Sequence, residues 1–413
     1  MMNSFTLAVV ILFSVYAGSA GAGAGIQGDA EHGRYLATLG DCAACHSPFG
    51  AASYTGGLQI DTPVGAIFST NITPDKQTGI GTYSYEDFVR AVREGVGKNG
   101  QPLYPAMPYP SFARITDQDM RDLYAYFMND VTPVSQENKK NTLPWPFSIR
   151  WPLHLWRWMF TDTPAVRTSG ASETEEARGA YLVQGLAHCG ACHTPRGIAL
   201  QEKAQDETKP AWLGGGNVDT WYAPPLRGNK RTGIGEWSKD DLIAFLNTGT
   251  NRHSTAFGPM VDVVTQSTSQ FSDSDLAAVA AYLKGLPAVP SGPSAQHKPG
   301  PDVLASGAGV YSDSCSGCHQ SKGEGIEGIY PALSGNPAIQ SDDPSSVISL
   351  VLKGGKPPSV GGGADDIVMP DFSSQLSDQQ IADVLNYIRN SWGNSAANIN
   401  EKQVTEIRQK VEK

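Results

Sequence analysis

The sequence contains no run of basic residues, and it has few charged residues and few cysteines for its length. Among its 413 residues, 41 are acidic and 31 are basic, which gives a net charge of −10. Without a basic face the chain is not expected to bind nucleic acid. A charged fraction of 17%, with 45 glycines and 28 prolines, is typical of a globular, loop-rich chain and not of a disordered one. A chain of this length is expected to form about three domains.

Long apolar runs are also scarce, and the one that stands out lies at the N-terminus. Residues 5–16 are apolar and residues 17–25 are small, as around a cleavage site, so residues 1–24 are predicted to be a secretory signal peptide. No Lys or Arg precedes this run, so a retained N-terminal anchor stays an alternative. No other apolar run approaches the length needed to span a bilayer. We therefore expect an exported protein.

All of the cysteines fall in three identical Cys-x-x-Cys-His motifs. Disulfides would be ordinary in an exported chain, but this spacing is that of c-type haem attachment. Two such thiols form thioethers with the vinyl groups of the porphyrin, and the next residue places an imidazole on the iron. Three covalent haems c are therefore predicted, with the histidine of each motif as a ligand to iron. The motifs are Cys42, Cys45 and His46; Cys189, Cys192 and His193; and Cys315, Cys318 and His319.

Two other uses of these motifs fit the sequence less well. A thioredoxin-like redox site would need one Cys-x-x-Cys beside a βαβ unit, not three copies. A zinc site needs four Cys or His ligands that converge, and each of these pairs lies far from the next along the chain.

An amphipathic helix with one capping pattern follows each motif. A Ser or Thr is followed three residues later by an acid or an amide, and the apolar residues after it form a single helical stripe. The caps are Thr116, Ser272 and Ser377, and a tyrosine stands ten positions after each, at Tyr126, Tyr282 and Tyr387.

Further helices are predicted before and between these elements. Short helices precede the motifs, around residues 33–36, 179–182 and 307–311, and Ser172 with Glu175 is predicted to cap the second. Middle helices are predicted over residues 84–94, 238–248 and 345–353. A glycine ends each of them, at Gly95, Gly249 and Gly354.

Small helices at both ends of a unit, with a haem between them, are the pattern of cytochrome c domains. The fold is therefore predicted to be all-α, with three tandem cytochrome c-type domains that each hold one covalent haem. Each unit is short for a core of its own, and the porphyrin fills it. The predicted domains are residues 25–131 (domain 1), 172–286 (domain 2) and 302–393 (domain 3). They are joined by an aromatic linker over 132–171 and a Pro/Gly/Ser linker over 287–301, and a charged tail follows over 394–413.

A second axial ligand is expected from the loop between the middle and last helix of each domain. Met107, Met260 and Met369 are the candidates, since each lies in such a loop beside a proline. Met120 lies on an apolar helical stripe and is expected in the core. A loop methionine can instead fill a gap in an irregular core, and His253 is a rival ligand in domain 2. Thioether ligation saturates the iron, which then transfers electrons and does not bind oxygen or peroxide.

Domains 2 and 3 share a Pro-x-Leu segment, at residues 224–226 and 331–333. A proline carbonyl of this segment is predicted to accept the second ring N–H of the proximal histidine and so to fix its tautomer. Domain 1 lacks this segment and carries Ser69-Thr-Asn71 instead, so its histidine is expected to have a different partner.

The linker 132–171 holds half of the tryptophans, which leaves three interpretations open. They are packing between domains or over a haem edge, docking of a partner subunit or of the membrane interface, and contact with a quinone. The tryptophans are Trp145, Trp151, Trp156 and Trp158, and Arg150 and Arg157 lie among them.

These features together carry a family resemblance, with the repeats Thr78-Gly-Ile-Gly81 and Thr232-Gly-Ile-Gly235 and the loop Tyr104-Pro-Ala-Met107-Pro108. The chain resembles the triple-haem cytochrome c subunits of bacterial membrane-associated dehydrogenases, which serve alcohol, aldehyde, gluconate, fructose and glucose oxidation. The resemblance covers nearly the whole mature chain. Its motifs are specific for the type of subunit and not for the substrate.

The resemblance implies a separate catalytic dehydrogenase subunit of the FAD or PQQ type, and it allows a small third subunit. Electrons would pass along the three haems to ubiquinone or another acceptor. The protein would associate peripherally with the membrane, at the periplasmic face of the bacterial inner membrane. No carboxylate pair, nucleophile or nucleotide fingerprint is visible, so no catalytic residue is predicted in this chain. Two other functions stay open: a free periplasmic electron shuttle, and a multihaem peroxidase, which would need an iron with an open sixth position.

Overall fold

The computed structural model describes residues 28–48, 50–161, 174–288, 298–360 and 367–412. It is mostly helical, as predicted, and the three haem motifs lie in three units that repeat one order of helices. Each unit has an N-terminal helix, a short motif helix, a middle helix and a C-terminal helix. Two short antiparallel hairpins, which the helical pattern did not predict, follow the first and second motifs.

The elements of domain 1 and of the linker run from α1 to α6. They are α1 (Ala30–Leu39), α2 (Cys42–His46), β1 (Gln59–Thr62), β2 (Gly65–Phe68), α3 (Tyr85–Glu94), α4 (Tyr109–Phe112), α5 (Asp117–Asn129) and α6 (Pro152–Phe160). In the first hairpin, Gln59 pairs with Phe68 and Thr62 with Gly65.

Domain 2 repeats the helices and the hairpin of domain 1, and domain 3 repeats the four helices named above. Domain 2 has α7 (Glu175–Tyr181), which continues as a π-helical turn (Leu182–Leu186), then α8 (Gly190–His193), β3 (Gly216–Val218), β4 (Trp221–Ala223), α9 (Lys239–Thr248), α10 (Pro259–Gln266), a 3₁₀ turn (Thr268–Gln270) and α11 (Asp273–Gly285). Domain 3 has α12 (Pro301–Ser314), α13 (Ser316–His319), α14 (Ser345–Lys353), α15 (Asp378–Arg389) and α16 (Glu401–Val411).

The helix ends follow local chemistry, and the predicted middle helices are confirmed. Ser84 and Ser238 form capping boxes, in which the serine accepts from the third backbone N–H and the third side chain accepts from the serine N–H. Gly95 and Gly249 end these helices in the left-handed region, with φ of 63° and 79°, which a glycine adopts without strain. The N-cap of α7 is Thr174, whose side chain accepts from the Ala177 N–H, and not Ser172 as predicted. Ser172 lies outside the described residues.

The first and last helices of each domain cross at a glycine. A Cβ on Gly33 would lie 2.0 Å from the carbonyl oxygen of Asp122, and one on Gly179 would lie 2.0 Å from that of Ala278. In domain 3 the distance from Gly307 to the Asp383 oxygen would be 2.1 Å. Only a residue without a side chain allows the two backbones to approach this closely. The recurring tyrosine stands at the same crossing, four residues after the carbonyl that the glycine meets.

Domains 1 and 2 share one hydrophobic core, whereas domain 3 has its own. Buried side chains of α1, α5, α11 and the π-helical turn after α7 belong to a single cluster that crosses the domain boundary, and those of α12, α14, α15 and α16 form a second cluster. Met120 is fully buried in the first cluster, which confirms its predicted place in a core.

Domain 3 packs against domain 2 through its middle helix. The Ser346 hydroxyl lies 2.7 Å from the backbone nitrogen of Tyr222, and it donates to the Tyr222 carbonyl at 2.9 Å. Ser349 donates to the carbonyl of Thr220 at 2.8 Å. Serines that face β4 from α14 therefore satisfy the edge of this hairpin, and domain 2 is in contact with both of its neighbours.

The aromatic linker has two parts. Its first part runs along domain 1, where the Asn138 side chain accepts from the Asn71 backbone at 2.7 Å and the Asn141 side chain accepts from Phe68 at 2.9 Å. Its second part is α6. The charged tail forms α16, which packs on domain 3 through the fully buried Val404 and an ion pair of 2.7 Å between Arg408 and Asp378. Within the described ranges, no helix combines the length and apolarity needed to cross a bilayer.

Candidate haem sites

Each Cys-x-x-Cys-His motif lies on a single helical turn, and none of the six cysteines forms a disulfide. Burial raises the pKa of Cys42 and Cys189 to about 12, and that of Cys45 and Cys315 to about 11. Thiols held protonated in this way are poor thioredoxin-type nucleophiles, because the thiolate is the reactive form.

The motif side chains do not converge with further metal ligands in the way a zinc site requires. Among the described residues, the group of His, Cys, Asp and Glu side chains that could share an ion is His32, Asp119 and Asp122, and it contains no cysteine. His32 there bonds to Asp122 at 2.8 Å, as a surface histidine paired with an acid does. The two-thiol, one-imidazole geometry of each motif fits covalent haem better than it fits zinc.

The proximal histidines are oriented by backbone carbonyls. Nδ1 of His193 lies 2.7 Å from the carbonyl oxygen of Pro224, and Nδ1 of His319 lies 3.0 Å from that of Pro331. The predicted proline carbonyls are therefore confirmed. In domain 1, Nδ1 of His46 lies 2.6 Å from the carbonyl oxygen of Thr70, so the partner differs there, as expected.

These bonds define the chemistry that each imidazole offers. Burial lowers the pKa of His46, His193 and His319, which favours the neutral ring. A neutral ring that donates from Nδ1 to a carbonyl leaves the Nε2 lone pair for a metal. The three rings thus fit an axial position on haem iron.

Domain 2 encloses a largely apolar cavity of about 220 Å³ beside its motif. Its wall includes Cys189, Cys192 and His193, and the predicted axial ligand Met260 lines the same cavity. Apolar side chains complete the wall, among them Leu226, Ile234, Phe245, Leu246, Val279 and Leu283. Two free thiols, an imidazole and a methionine thioether around one apolar space are the groups from which a six-coordinate haem c can be built.

His253, the rival ligand in domain 2, is engaged elsewhere. Its ring stacks on Trp237, with centroids 5.6 Å apart and planes 10° apart. Its Nε2 accepts from Arg252 at 3.2 Å and lies 3.4 Å from Asp241. His253 is not among the described residues that line the cavity, so the geometry favours Met260 over it.

The predicted loop position is wrong for Met260, which lies in the first turn of α10, whereas Met107 and Met369 lie in loops as predicted. Met107 is half-buried in the turn before α4 and packs against the shared core. Met369 is half-buried and pairs its backbone with Gly355, in two bonds of 2.8 and 2.9 Å. Both methionines, like Met260, stay predicted axial ligands.

Two buried carboxyl groups near the motifs were not singled out from the sequence. Asp41 of domain 1 has a left-handed backbone, with φ of 48°, and lines the cavity of domain 2. Burial raises its pKa to about 8, with a smaller contribution from Asp262. The sequence signal for Asp41 and for the second group, Glu202, is only an acidic residue near a haem motif, and this signal is weak.

The second carboxyl group is that of Glu202. It lines a small cavity of about 30 Å³ between the Met107 loop, α6 and the segment after the second motif. Its Oε2 atom is buried without a hydrogen-bond partner among the described residues. Burial raises the pKa of Glu202 to about 7, although Arg196 and Arg114 oppose the shift.

The Cytochrome c family matches residues 30–129, 176–287 and 304–392. The chain is 48% identical over 392 residues to the gluconate 2-dehydrogenase cytochrome c subunit of Pantoea cypripedii. The aligned region covers 92% of this chain and 89% of that one. It is 46% identical over 409 residues to the cytochrome c subunit of the alcohol dehydrogenase (quinone) of Gluconobacter oxydans, covering 96% and 85%. To the fructose dehydrogenase cytochrome subunit of Gluconobacter japonicus it is 37% identical, covering 92% and 82%.

Proposed function

Because the chain belongs to the cytochrome c family, we propose that it carries electrons, through three covalently bound haems c, from a partner dehydrogenase to a respiratory acceptor. The resemblance to cytochrome c subunits of dehydrogenases, stated above from the motifs, is confirmed. The observation that carries the proposal is the threefold repeat of one site: a Cys-x-x-Cys-His turn whose imidazole is fixed through Nδ1 by a backbone carbonyl.

The residues of each domain have defined roles in this proposal. The cysteine pair of each motif would hold the porphyrin through thioethers, and the histidine would supply a nitrogen ligand to iron. Met107, Met260 and Met369 would each supply a sulfur ligand. Haem supplies a one-electron couple when bound, and a methionine ligand raises its potential.

The packing of the domains supports a continuous path. The cavity of domain 2 is lined by Asp41 of domain 1 and by Pro337, Ala338 and Ser346 of domain 3. The centre of domain 2 therefore borders on both other domains, and its walls are largely apolar. An excluded solvent and a fixed imidazole reduce the rearrangement that accompanies a change of charge.

The relatives named above are subunits of dehydrogenases, which supports a catalytic dehydrogenase as the partner of this chain. A catalytic subunit of the FAD or PQQ type would oxidise a sugar, alcohol, aldehyde or sugar acid, and this chain would hold no substrate-oxidising site. Ubiquinone or another acceptor would receive the electrons at the periplasmic face of the inner membrane, after export directed by residues 1–24. A small third subunit is compatible with this arrangement.

The experiment is purification of the native complex from a host membrane, followed by mass spectrometry and reduction assays. We expect three haems per chain, a co-purifying dehydrogenase subunit, and haem reduction when its substrate is added. A chain that carries haem but purifies alone as a monomer would favour a free periplasmic shuttle. Rapid carbon monoxide binding at a ferrous haem of the undamaged protein would favour a peroxidase-type enzyme.

A further inference from the structure

We propose that an exposed aromatic face on α6 and its surroundings binds the interfacial region of an anionic lipid bilayer and holds the protein there. The aromatic face is defined by nine exposed side chains: Trp145, Phe147, Ile149, Trp151, Leu155, Trp158, Met159, Ile198 and Leu200. The inference deepens the proposed function, from which it takes only that the protein works at a membrane.

The apolar stripe of α6 faces away from the protein. Trp151, Leu155 and Trp158 are 70%, 51% and 80% exposed, and their spacing places them on one side of the helix. On a surface helix such a stripe normally faces the core. The α6 side chain that faces the protein is instead Trp156, whose indole N–H donates to the carbonyl of Ala199 at 2.8 Å.

A second segment extends this surface. Ile198 is fully exposed and Leu200 is 42% exposed, on the loop that carries the Ala199 carbonyl bound by Trp156. Nine of the twelve large apolar side chains that are exposed in the described ranges belong to these two neighbouring segments. A soluble surface seldom gathers so many apolar side chains unless they meet a partner or a membrane.

The charge of this region suits an anionic surface. Between Glu137 and Asp162 the sequence carries four basic residues and no acidic ones, in a chain whose net charge is −10. Arg150 donates to the carbonyl of Pro102 at 3.2 Å, and Arg157 donates to the carbonyl of Glu94. Neither arginine forms an ion pair with a carboxylate among the described residues.

Helices that lie in a membrane interface typically contain both tryptophan and arginine. The indole ring buries its apolar body among acyl chains and keeps its N–H among polar headgroups, while arginine meets lipid phosphates. Basic residues beside an apolar face add attraction to anionic lipids that weakens as salt rises. The aromatic face has both parts, and a bilayer is the partner that uses them together.

The test uses the complete haem-loaded protein, with its N-terminus determined by mass spectrometry. Flotation with phosphatidylcholine vesicles containing phosphatidylglycerol is compared between the wild type and the double variant Trp151→Ser/Trp158→Ser. We expect the variant to bind at least about tenfold more weakly, with an unchanged haem spectrum. Binding of the wild type should weaken with added salt. Hydrogen exchange should slow in residues 151–160 and 198–200 when vesicles are added.

The matched control is Ile326→Ser/Ile329→Ser, which removes two exposed apolar side chains of domain 3 and should bind vesicles like the wild type. The proposal would be overturned if the wild type and the Trp variant bound vesicles equally and hydrogen exchange in α6 did not slow. This holds also if a retained N-terminal segment attaches both proteins to the vesicles. A Trp variant that keeps vesicle binding but loses a co-purifying dehydrogenase subunit would identify a protein interface instead. Haem reduction by that subunit is measured on the same samples, so failure of the proposed function is seen separately.

Discussion

The hydroxyl of Tyr35 in domain 1 donates a hydrogen bond of 2.7 Å to the carboxylate of Asp275 in domain 2, and it accepts from the Ser272 backbone at 2.9 Å. The reciprocal contact is present as well. The Tyr181 hydroxyl of domain 2 donates to the carboxylate of Asp119 in domain 1 and accepts from the Thr116 backbone. Each tyrosine thus completes the N-terminal cap of the last helix in the other domain.

This pair of contacts predicts a stability cost for losing either hydroxyl. Tyr35→Phe and Tyr181→Phe should each lower the free energy of unfolding of domains 1 and 2 by about 1–3 kcal/mol, because a buried or half-buried carboxylate loses a donor. Tyr35→Phe should lie at the lower end, since Asp275 keeps its ion pair with Arg178 at 2.8 Å. Urea unfolding followed by haem absorbance measures both.

Tyr85→Phe is the control for the hydroxyl, because the Tyr85 hydroxyl bonds within domain 1, to the Asp117 carbonyl at a long 3.4 Å. Its effect should stay within about 0.5 kcal/mol. Equal stabilities of Tyr181→Phe and Tyr85→Phe would show that the contact between the domains does not contribute.

The glycine at the helix crossing predicts a sharp difference between two neighbouring positions of α12. Gly307→Ala should destabilise domain 3 by about 3 kcal/mol or more, since the added Cβ meets the Asp383 carbonyl at 2.1 Å and the helices must separate. Gly309→Ala meets nothing within 4 Å and should stabilise α12 by about 0.5–1 kcal/mol. Thermal unfolding of domain 3 compares them; a well-tolerated Gly307→Ala would contradict the close crossing.

The predicted axial methionines can be tested one domain at a time. Replacing Met107, Met260 or Met369 by Leu should open one iron in each case, so that one of three ferrous haems binds carbon monoxide. The near-infrared band of thioether-to-iron charge transfer should fall by about a third. His253→Gln is the control, because its ring is engaged by Trp237 and Asp241, and it should leave the band unchanged. A full band in Met260→Leu would reject Met260 as a ligand.

The buried carboxyl of Glu202 predicts a pH-dependent stability. Its pKa is about 7 in the folded protein and near 4.5 in the unfolded chain, so the folded state binds more protons between these values. Stability should therefore be greatest below about pH 4.5, as far as this group is concerned, and fall as the pH rises through 7. Glu202→Gln should remove this decline and stabilise the protein at pH 8 by roughly 1–3 kcal/mol.

Chemical unfolding at several pH values measures the effect of Glu202. The exposed Glu137→Gln serves as the control and should keep the pH dependence of the wild type. If Glu202→Gln also followed the wild-type curve, the carboxyl would be ionised and solvated in the folded protein.

The sequence predicted the helices well because their ends are set by local chemistry. A serine that caps and a glycine that adopts a positive φ are sufficient to place α3 and α9 to the residue. The proline carbonyls at Pro224 and Pro331 could be predicted for the same reason, since they follow the motif at a repeated position. Where neighbouring residues compete for one role, as Ser172 and Thr174 do at the start of α7, local chemistry does not choose between them.

Contacts between distant segments could not be predicted in this way. The strip of the linker that bonds to Asn71 and Phe68 has no periodicity that would reveal its partner. Trp151 and Trp158 were visible in the linker, but the sequence alone did not show whether these side chains face a core or the outside. Tyr35 and Tyr181 stand at equivalent positions in the first helices of domains 1 and 2, but their positions did not reveal their partners. Domain 3 has Gly309 at this position, which has no side chain to make such a contact.

The cavity of domain 2 has walls from all three domains, through Asp41 on one side and Ala338 on the other. The central site is therefore not the property of one folding unit. Removing domain 1 or domain 3 would take away part of this wall and expose the cavity to more solvent. Carrying the three domains on one polypeptide ensures that every copy of the domain 2 site is made together with the neighbours that complete its wall.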